Sequence, residues 1–262
     1  MSPRNLTGTS PVSSPNTHSH SLVTLMKSLV TPFFVLATTA LCLADAKQDV
    51  KAAAQKLADA PSYTWTTSSE IEGAQWTPAT ITGKTLKGSF AVVTSEREGT
   101  VTTAVIKGEK GVLQTDDGWK TAEELRNAGG GGGGGRGNRG AMLLRNRPPA
   151  DEVLRMVDKV QELKSAEGVV SGDLTEQGAK ELLTLGRGRS GGQTPPEAKN
   201  AKGSVKLWLK DGQLTKVQVK VSGSLSINGE DREMARTTTH EIKNVGTTEV
   251  KVPEAASKAL GS

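Results

Sequence analysis

Cysteine is almost absent from this 262-residue chain. Its one instance, Cys42, falls inside a hydrophobic N-terminal stretch. If that stretch is removed, the chain has no disulfide, no thiolate metal ligand and no cysteine nucleophile. Histidine is nearly as scarce: His240 is the one instance beyond residue 46, which leaves general acid–base work with no second imidazole. Aromatics are 3% and apolar residues 34% of the chain, both low for a globular protein. Thirty glycines and eleven prolines, many of them clustered, account for part of that dilution.

No run is long enough to span a bilayer. The longest apolar stretch, Leu29 to Leu43, is short and is interrupted by Pro32 and by Thr38 and Thr39. Lys27 precedes it and Ala44-Asp45-Ala46 closes it, which is the layout of a secretory signal over 26–46 with cleavage before Lys47. The Ser/Thr/Pro-rich residues 1–25 are no part of such a signal, so Met26 is the expected start. Without Arg4, Lys27 and Asp45, the 33 basic and 28 acidic residues become 31 and 27, a net charge of +4. That mild surplus permits weak contact with an anionic envelope surface and argues against a nucleic-acid partner. A monomer with no transmembrane segment after cleavage is expected.

Val50, Ala53, Ala54, Leu57 and Ala58 recur at helical spacing before Pro61, and Tyr63, Trp65 and Thr67 then alternate as in a strand. Strands are expected near 86–96, 100–107 and 111–115. Breaks about ten residues apart, with glycine at the turns, indicate an antiparallel meander. Val153, Met156, Val157, Val160 and Leu163 form one helical stripe behind Asp151 and Glu152, acids placed where a helix dipole favours them. A short strand and a helix headed by Thr175 follow.

In 205–221 a hairpin turns at Asp211-Gly212. A three-residue loop pairing 209 with 213 and 205 with 217 places every valine on one face and sets Trp208 opposite Leu214. Met234, Thr238, His240 and Ile242 share one side of a later strand, and "TTEVKVPEAASKAL" reads as a strand and a short helix. Neither half holds enough apolar residues for its own core, so residues 47–262 are expected to form one α+β domain around a single antiparallel sheet covered by helices. Gly/Arg-rich segments at 128–147 and 186–203 interrupt it and read as flexible linkers.

The signal, the helix "VKAAAQKLADAPSYTW", the meander with "GVLQTDDGWKTAEEL", the mid-chain helix pair, the hairpin "GSVKLWLKDGQLTKVQVKV" and the ending "NVGTTEVKVPEAA" occur in an order that resembles the LolA/LppX group of exported lipoprotein carriers. The resemblance implies a half-open β-barrel with helices on its concave face, and an apolar cavity for lipid or lipoprotein acyl chains. No early-strand arginine can be matched to the one those carriers use.

No nucleophile elbow, zinc motif or phosphate loop is present, and no cofactor is expected. Asp116-Asp117-Gly118 is turn chemistry, because adjacent strand carboxylates point to opposite faces. His240 reads as a polar residue at the sheet rim. The Arg-Gly steps around Arg136, Arg139, Arg187 and Arg189 carry no interleaved aromatics for base stacking. The expectation is a non-enzymatic exported binding module. Its ligand cavity would lie among Trp65, Phe90, Val92, Met156, Val157 and Val160. A structural envelope protein with a filled core is the alternative.

Overall fold

The computed structural model describes residues 39–87, 90–128, 140, 142–184, 196–227 and 229–261. Most of the expected signal peptide, and residues 129–139, 141 and 186–195 of the two Gly/Arg-rich segments, lie outside the described residues. The first helix, α1, spans Thr39–Ala58, beginning eight residues before the expected mature start. The portion from Lys47 onward carries Val50, Ala53, Ala54 and Leu57, all buried, so the part that packs survives cleavage at that position.

Eleven strands form one antiparallel sheet. Six come from the first half: β1 (Ser62–Ile71), β2 (Ile81–Leu86), β3 (Ala91–Arg97), β4 (Thr100–Lys107), β5 (Lys110–Thr115) and β6 (Gly118–Thr121). Five come later: β7 (Lys164–Ala166), β8 (Val169–Asp173), β9 (Ala198–Lys210), β10 (Gln213–Ile227) and β11 (Glu230–Lys243). Their order is β6-β5-β4-β3-β2-β1-β11-β10-β9-β8-β7. The two meanders are therefore joined through β1 and β11, and the outer strands β6 and β7 are not paired with each other, so the sheet stays open. Neither half closes a core alone, as the apolar count required.

The helices divide between the faces. α1, α3 (Pro149–Met156, continued by a 3-10 turn at Val157–Lys159) and α4 (Glu176–Thr184) contribute Val50, Val153, Val157 and Leu183 to the principal core on the concave side. α5 (Glu254–Ala259) packs on β5 and β6 from the other side, where Ala256 and Leu260 meet Val105 and Val112. Lys47 and Lys51 of α1 both reach Asp158, at 2.9 and 2.8 Å, tying α1 to the 3-10 turn.

α2 (Ala122–Ala128) starts with a capping box: the Glu124 amide donates to Thr121 Oγ1 at 3.2 Å while the Thr121 amide donates to Glu124 Oε2 at 2.7 Å. Thr121→Ala should cost about 1 kcal/mol in a urea melt. A loss below about 0.3 kcal/mol would mean that tertiary packing, and not the cap, holds this helix.

The expected helical stripe from Val153 to Leu163 is cut short: the helix ends at Met156, the 3-10 turn at Lys159, and Val160 is extended and bridges Leu174, so Val160 and Leu163 reach the core from non-helical chain leading into β7. Four further expectations are corrected. The expected strand 86–96 is two strands, because the chain turns between Leu86 and Phe90, whose carbonyl accepts from the Leu86 amide at 2.9 Å. The β9–β10 hairpin closes on a two-residue turn, pairing Lys210 with Gln213; Asp211 and Gly212 have φ of 52° and 67°, as that tight turn requires. A bulge between Leu214 and Lys216 then shifts the register, so that Leu207 faces Val217 and Val205 faces Val219. The valines do share one face, but the bulge achieves this, stabilised by Thr215 Oγ1 donating to the Trp208 carbonyl at 3.1 Å. Trp208 accordingly pairs with Lys216 instead of Leu214.

The third correction concerns the second Gly/Arg-rich segment: β9 already begins at Ala198, because Ala201 is buried in the core and the strand pairs with β10 from its first residue. Fourth, residues 248–253 ahead of α5 form no strand; Thr248 instead meets Thr64 side chain to side chain at 2.9 Å.

Candidate functional site

Antiparallel register sorts side chains into rows across the concave face, because residues directly paired on neighbouring strands point the same way. One row runs Ile242, Trp65, Gly83, Val93, Ala104, Leu113. Trp65 is 1% exposed, and its indole lies across Gly83 so closely that an added Cβ there would sit 2.0 Å from a ring carbon. Tyr63 packs beside it, the rings tilted by 51° with centroids 5.7 Å apart. Burial raises the Tyr63 phenol, which meets the backbone of Ala150 at the start of α3.

The next row is Leu207, Val217, His240, Thr67, Ile81. The expectation of a rim histidine is overturned: β11 sits between β1 and β10 near the middle of the sheet, and His240 is only 4% exposed. Its Nδ1 lies 2.9 Å from Thr67 Oγ1, and its Nε2 lies 3.1 Å from Glu152 Oε2 on α3. Arg236, four residues before His240 on the same face of β11, donates from Nη2 to the Leu182 carbonyl of α4 at 2.9 Å. Burial opposes the charge on Glu152, but the hydrogen bond and charge of His240, with the charge of Arg236, outweigh it and hold the carboxyl below its ordinary range. β11 thus carries two polar clamps, one to α3 and one to α4.

Hydroxyl, imidazole and carboxylate in line have the order of a nucleophile, base and orienting acid. Here Thr67 is 6% exposed and packed beneath the helices, so the arrangement reads as a structural clamp on the cover. Among the described residues, no three of His, Cys, Asp and Glu converge as metal ligands. Asp117 sits in the β5–β6 turn, with Lys120 at 3.4 Å.

The six residues expected to line a cavity do not come together. Trp65, Met156, Val157 and Val160 share the principal core. Phe90 and Val92 face the opposite side, packed with Val105, Val112, Ala256 and Leu260. The cause is parity: Val93, one residue further on, shares the row of Trp65. Residues 90–93 are Phe-Ala-Val-Val, apolar on both faces, so alternation could not choose between them.

The apolar concavity lies elsewhere. A cleft of about 200 Å³ opens where the end of α1 meets the β9–β10 hairpin, lined by Ala53, Leu57, Ala60, Leu214 and Val245, with Lys56 and Gln213 among its lining residues. Ala53 and Leu57 belong to the packing stripe legible in the sequence, whereas Leu214 joins them because the two-residue turn pairs it with Leu209, on the side of Leu207, and leaves it buried. A second cleft of about 370 Å³ lies on the convex side among Thr82, Lys84, Val92, Thr94, Glu249 and Lys251.

The architecture is that of an open antiparallel half-barrel with helices on its concave face. No family model and no curated protein matches the chain. Among solved structures, it is similar to LprF from Mycobacterium bovis, with 11% identity over 81% of this chain and 98% of that one and a TM-score of 0.39. It is also similar to a LolA superfamily protein from Nitrosomonas europaea, with 11% identity over 79% and 94% of the two chains and a TM-score of 0.33. A DUF1329 family protein from Desulfovibrio piger gives 11% identity, 80% and 95% coverage and a TM-score of 0.33.

Proposed function

We propose that the chain is an exported, non-enzymatic binding module for a hydrophobic or acyl-bearing partner, lipid or lipoprotein-like, received at the cleft beneath the C-terminal end of α1. The observation that carries this reading is the composition of that cleft. Five apolar residues line it, two from α1, one from β10 and two from the segments that follow α1 and β11, and Lys56 stands among them to meet an anionic headgroup. An apolar concavity with a few polar groups is the usual form of a small-ligand site. Export rests on the 26–46 segment. Among the described residues, no helix is long and apolar enough to cross a membrane.

Native mass spectrometry of protein recovered from its own envelope should show a bound lipid-sized adduct, and a fluorescent fatty acid should be displaceable from it. Ala60→Phe, which fills the cleft from its edge, should weaken that binding by about tenfold, with the melting temperature held within a few degrees. Absence of any adduct, together with no response to fatty acid, would reject the reading. The rival, a structural envelope protein with a filled core, is favoured by the tight packing under α3, where Val153 and Val157 are 0% and 1% exposed, and it would take over on that outcome. N-terminal sequencing of the secreted form should begin at Lys47.

A further inference from the structure

The convex face of β9 and β10 carries a lysine at every level of the ladder. Register pairs Lys202 with Ser222, Ser204 with Lys220, Lys206 with Gln218, Trp208 with Lys216 and Lys210 with Gln213. Read along the hairpin, Lys202, Lys220, Lys206, Lys216 and Lys210 alternate between the two strands, one lysine per two-residue step. At a strand rise of about 3.4 Å per residue, the steps are about 7 Å apart and the file is about 27 Å long.

Four of these lysines are exposed, and Lys216 is half-buried with its ammonium 5.0 Å above the Trp208 ring. None of the five forms an ion pair with a described residue, whereas most other lysines on ordered elements do, among them Lys159, Lys180, Lys199, Lys243 and Lys258. Two carboxylates flank the file: Asp173 on β8, level with Ser204, and Glu241 on β11, level with Lys216 and paired with Lys243 at 3.2 Å. Asp211 follows Lys210 in the turn, Val169 of β8 lies level with Trp208 and Ala235 of β11 with Ser222, and the other neighbours are hydroxyls and amides, including Thr237, Thr239 and Gln218, which donates to Thr239 Oγ1 at 3.3 Å. The nearest convex-side helix, α5, packs on β5 and β6 at the far end of the sheet.

Repulsion among five aligned ammonium groups is unfavourable for the isolated fold, and like charges at neighbouring ladder positions are destabilising. A ligand of opposite charge relieves it. We infer that this face binds a linear polyanion laid along the β9–β10 hairpin. A single straight file matches a chain of charges. A planar bilayer calls instead for a broad patch with apolar side chains to insert, and Trp208 is the one large apolar residue in the file. Phosphate-bearing polymers and acidic polysaccharides share this chemistry. Counterion release supplies the binding energy, so the affinity falls steeply with salt.

The test uses the full-length secreted protein with fluorescently labelled linear polyphosphate and labelled polygalacturonate, followed by anisotropy at several salt concentrations. Binding to either polymer at low salt is expected, and the preference between them separates the phosphate source from the carboxylate source. K202Q/K206Q/K216Q/K220Q should weaken binding by about tenfold or more and flatten the log–log salt slope by about 3. K87Q/K110Q/K180Q/K258Q removes the same charge elsewhere and should stay within about threefold of the parent, with the slope retained. Circular dichroism of both variants should match the parent. The inference fails if neither polymer binds, if the two variants lose affinity equally, or if phosphatidylglycerol vesicles bind while both polymers do not.

Discussion

Gly83→Ala is expected to destabilise the protein by about 3 kcal/mol, one of the two largest effects of a single substitution anticipated here. The physical reason is a close approach. Trp65 lays its indole directly on the Gly83 backbone, and a methyl group there would fall 2.0 to 2.3 Å from three ring carbons. Trp65 cannot swing away, since Tyr63 packs against one side and the residue is 1% exposed beneath the helical cover. The strand itself tolerates alanine, so the cost is steric and should depend on the ring. Trp65→Phe in the Gly83→Ala background should recover part of the loss, while Trp65→Phe alone should cost about 1–2 kcal/mol for the volume removed. Urea melts of the three variants check this. A Gly83→Ala protein within about 0.5 kcal/mol of the parent would show that the indole is not held where it lies.

Glu152→Ala is expected to cost about 2 kcal/mol at neutral pH, because it leaves His240 and Arg236 facing a buried, uncompensated site. Part of the Glu152 side chain reaches solvent, which moderates the loss relative to a fully buried pair. Its folded carboxyl lies below the ordinary value of 4.5, set against desolvation by the His240 contact and the Arg236 charge. A lowered carboxylate contributes stability that is complete above the unfolded value and is lost as pH falls through the folded one. The parent should therefore exceed Glu152→Gln in stability at neutral pH, and the gap should narrow as pH drops below about 4.5. Parallel pH profiles for the two proteins would remove Glu152 from the clamp. A double-mutant cycle between Glu152 and His240 gives their coupling directly.

These two sites differ in how visible they were beforehand. Trp65 was recognisable as an inward aromatic from the alternation of Tyr63, Trp65 and Thr67, yet its partner Gly83 is 18 residues away and looks like any other strand glycine. Glu152 looked like ordinary first-turn acid chemistry on α3, and His240 like a rim residue, until β11 was placed at the centre of the sheet. Phe90 and Val92 lie on the convex side, and the sequence offers no sign of it because residues 90–93 are apolar throughout. Where both parities are apolar, periodicity holds no information about face. The hairpin shows the converse: the demand that Val217, Val219 and Val221 share the Leu207 face was sound, but it was met by a tight turn plus a bulge at Thr215 instead of a longer loop.

Local physical chemistry was enough to establish the stripe of α1, the start of α3, the antiparallel meander, the Asp-Gly turn and the need for one shared core, since each depends on periodicity, turn propensity or apolar count within a short window. Register was beyond its reach, because pairing energies couple residues far apart in the chain, as with Thr67 and His240, 173 positions apart. The tertiary structure therefore decided which residues line the apolar cleft, which polar groups clamp the cover, and that five lysines spread over nineteen residues stand in a single file.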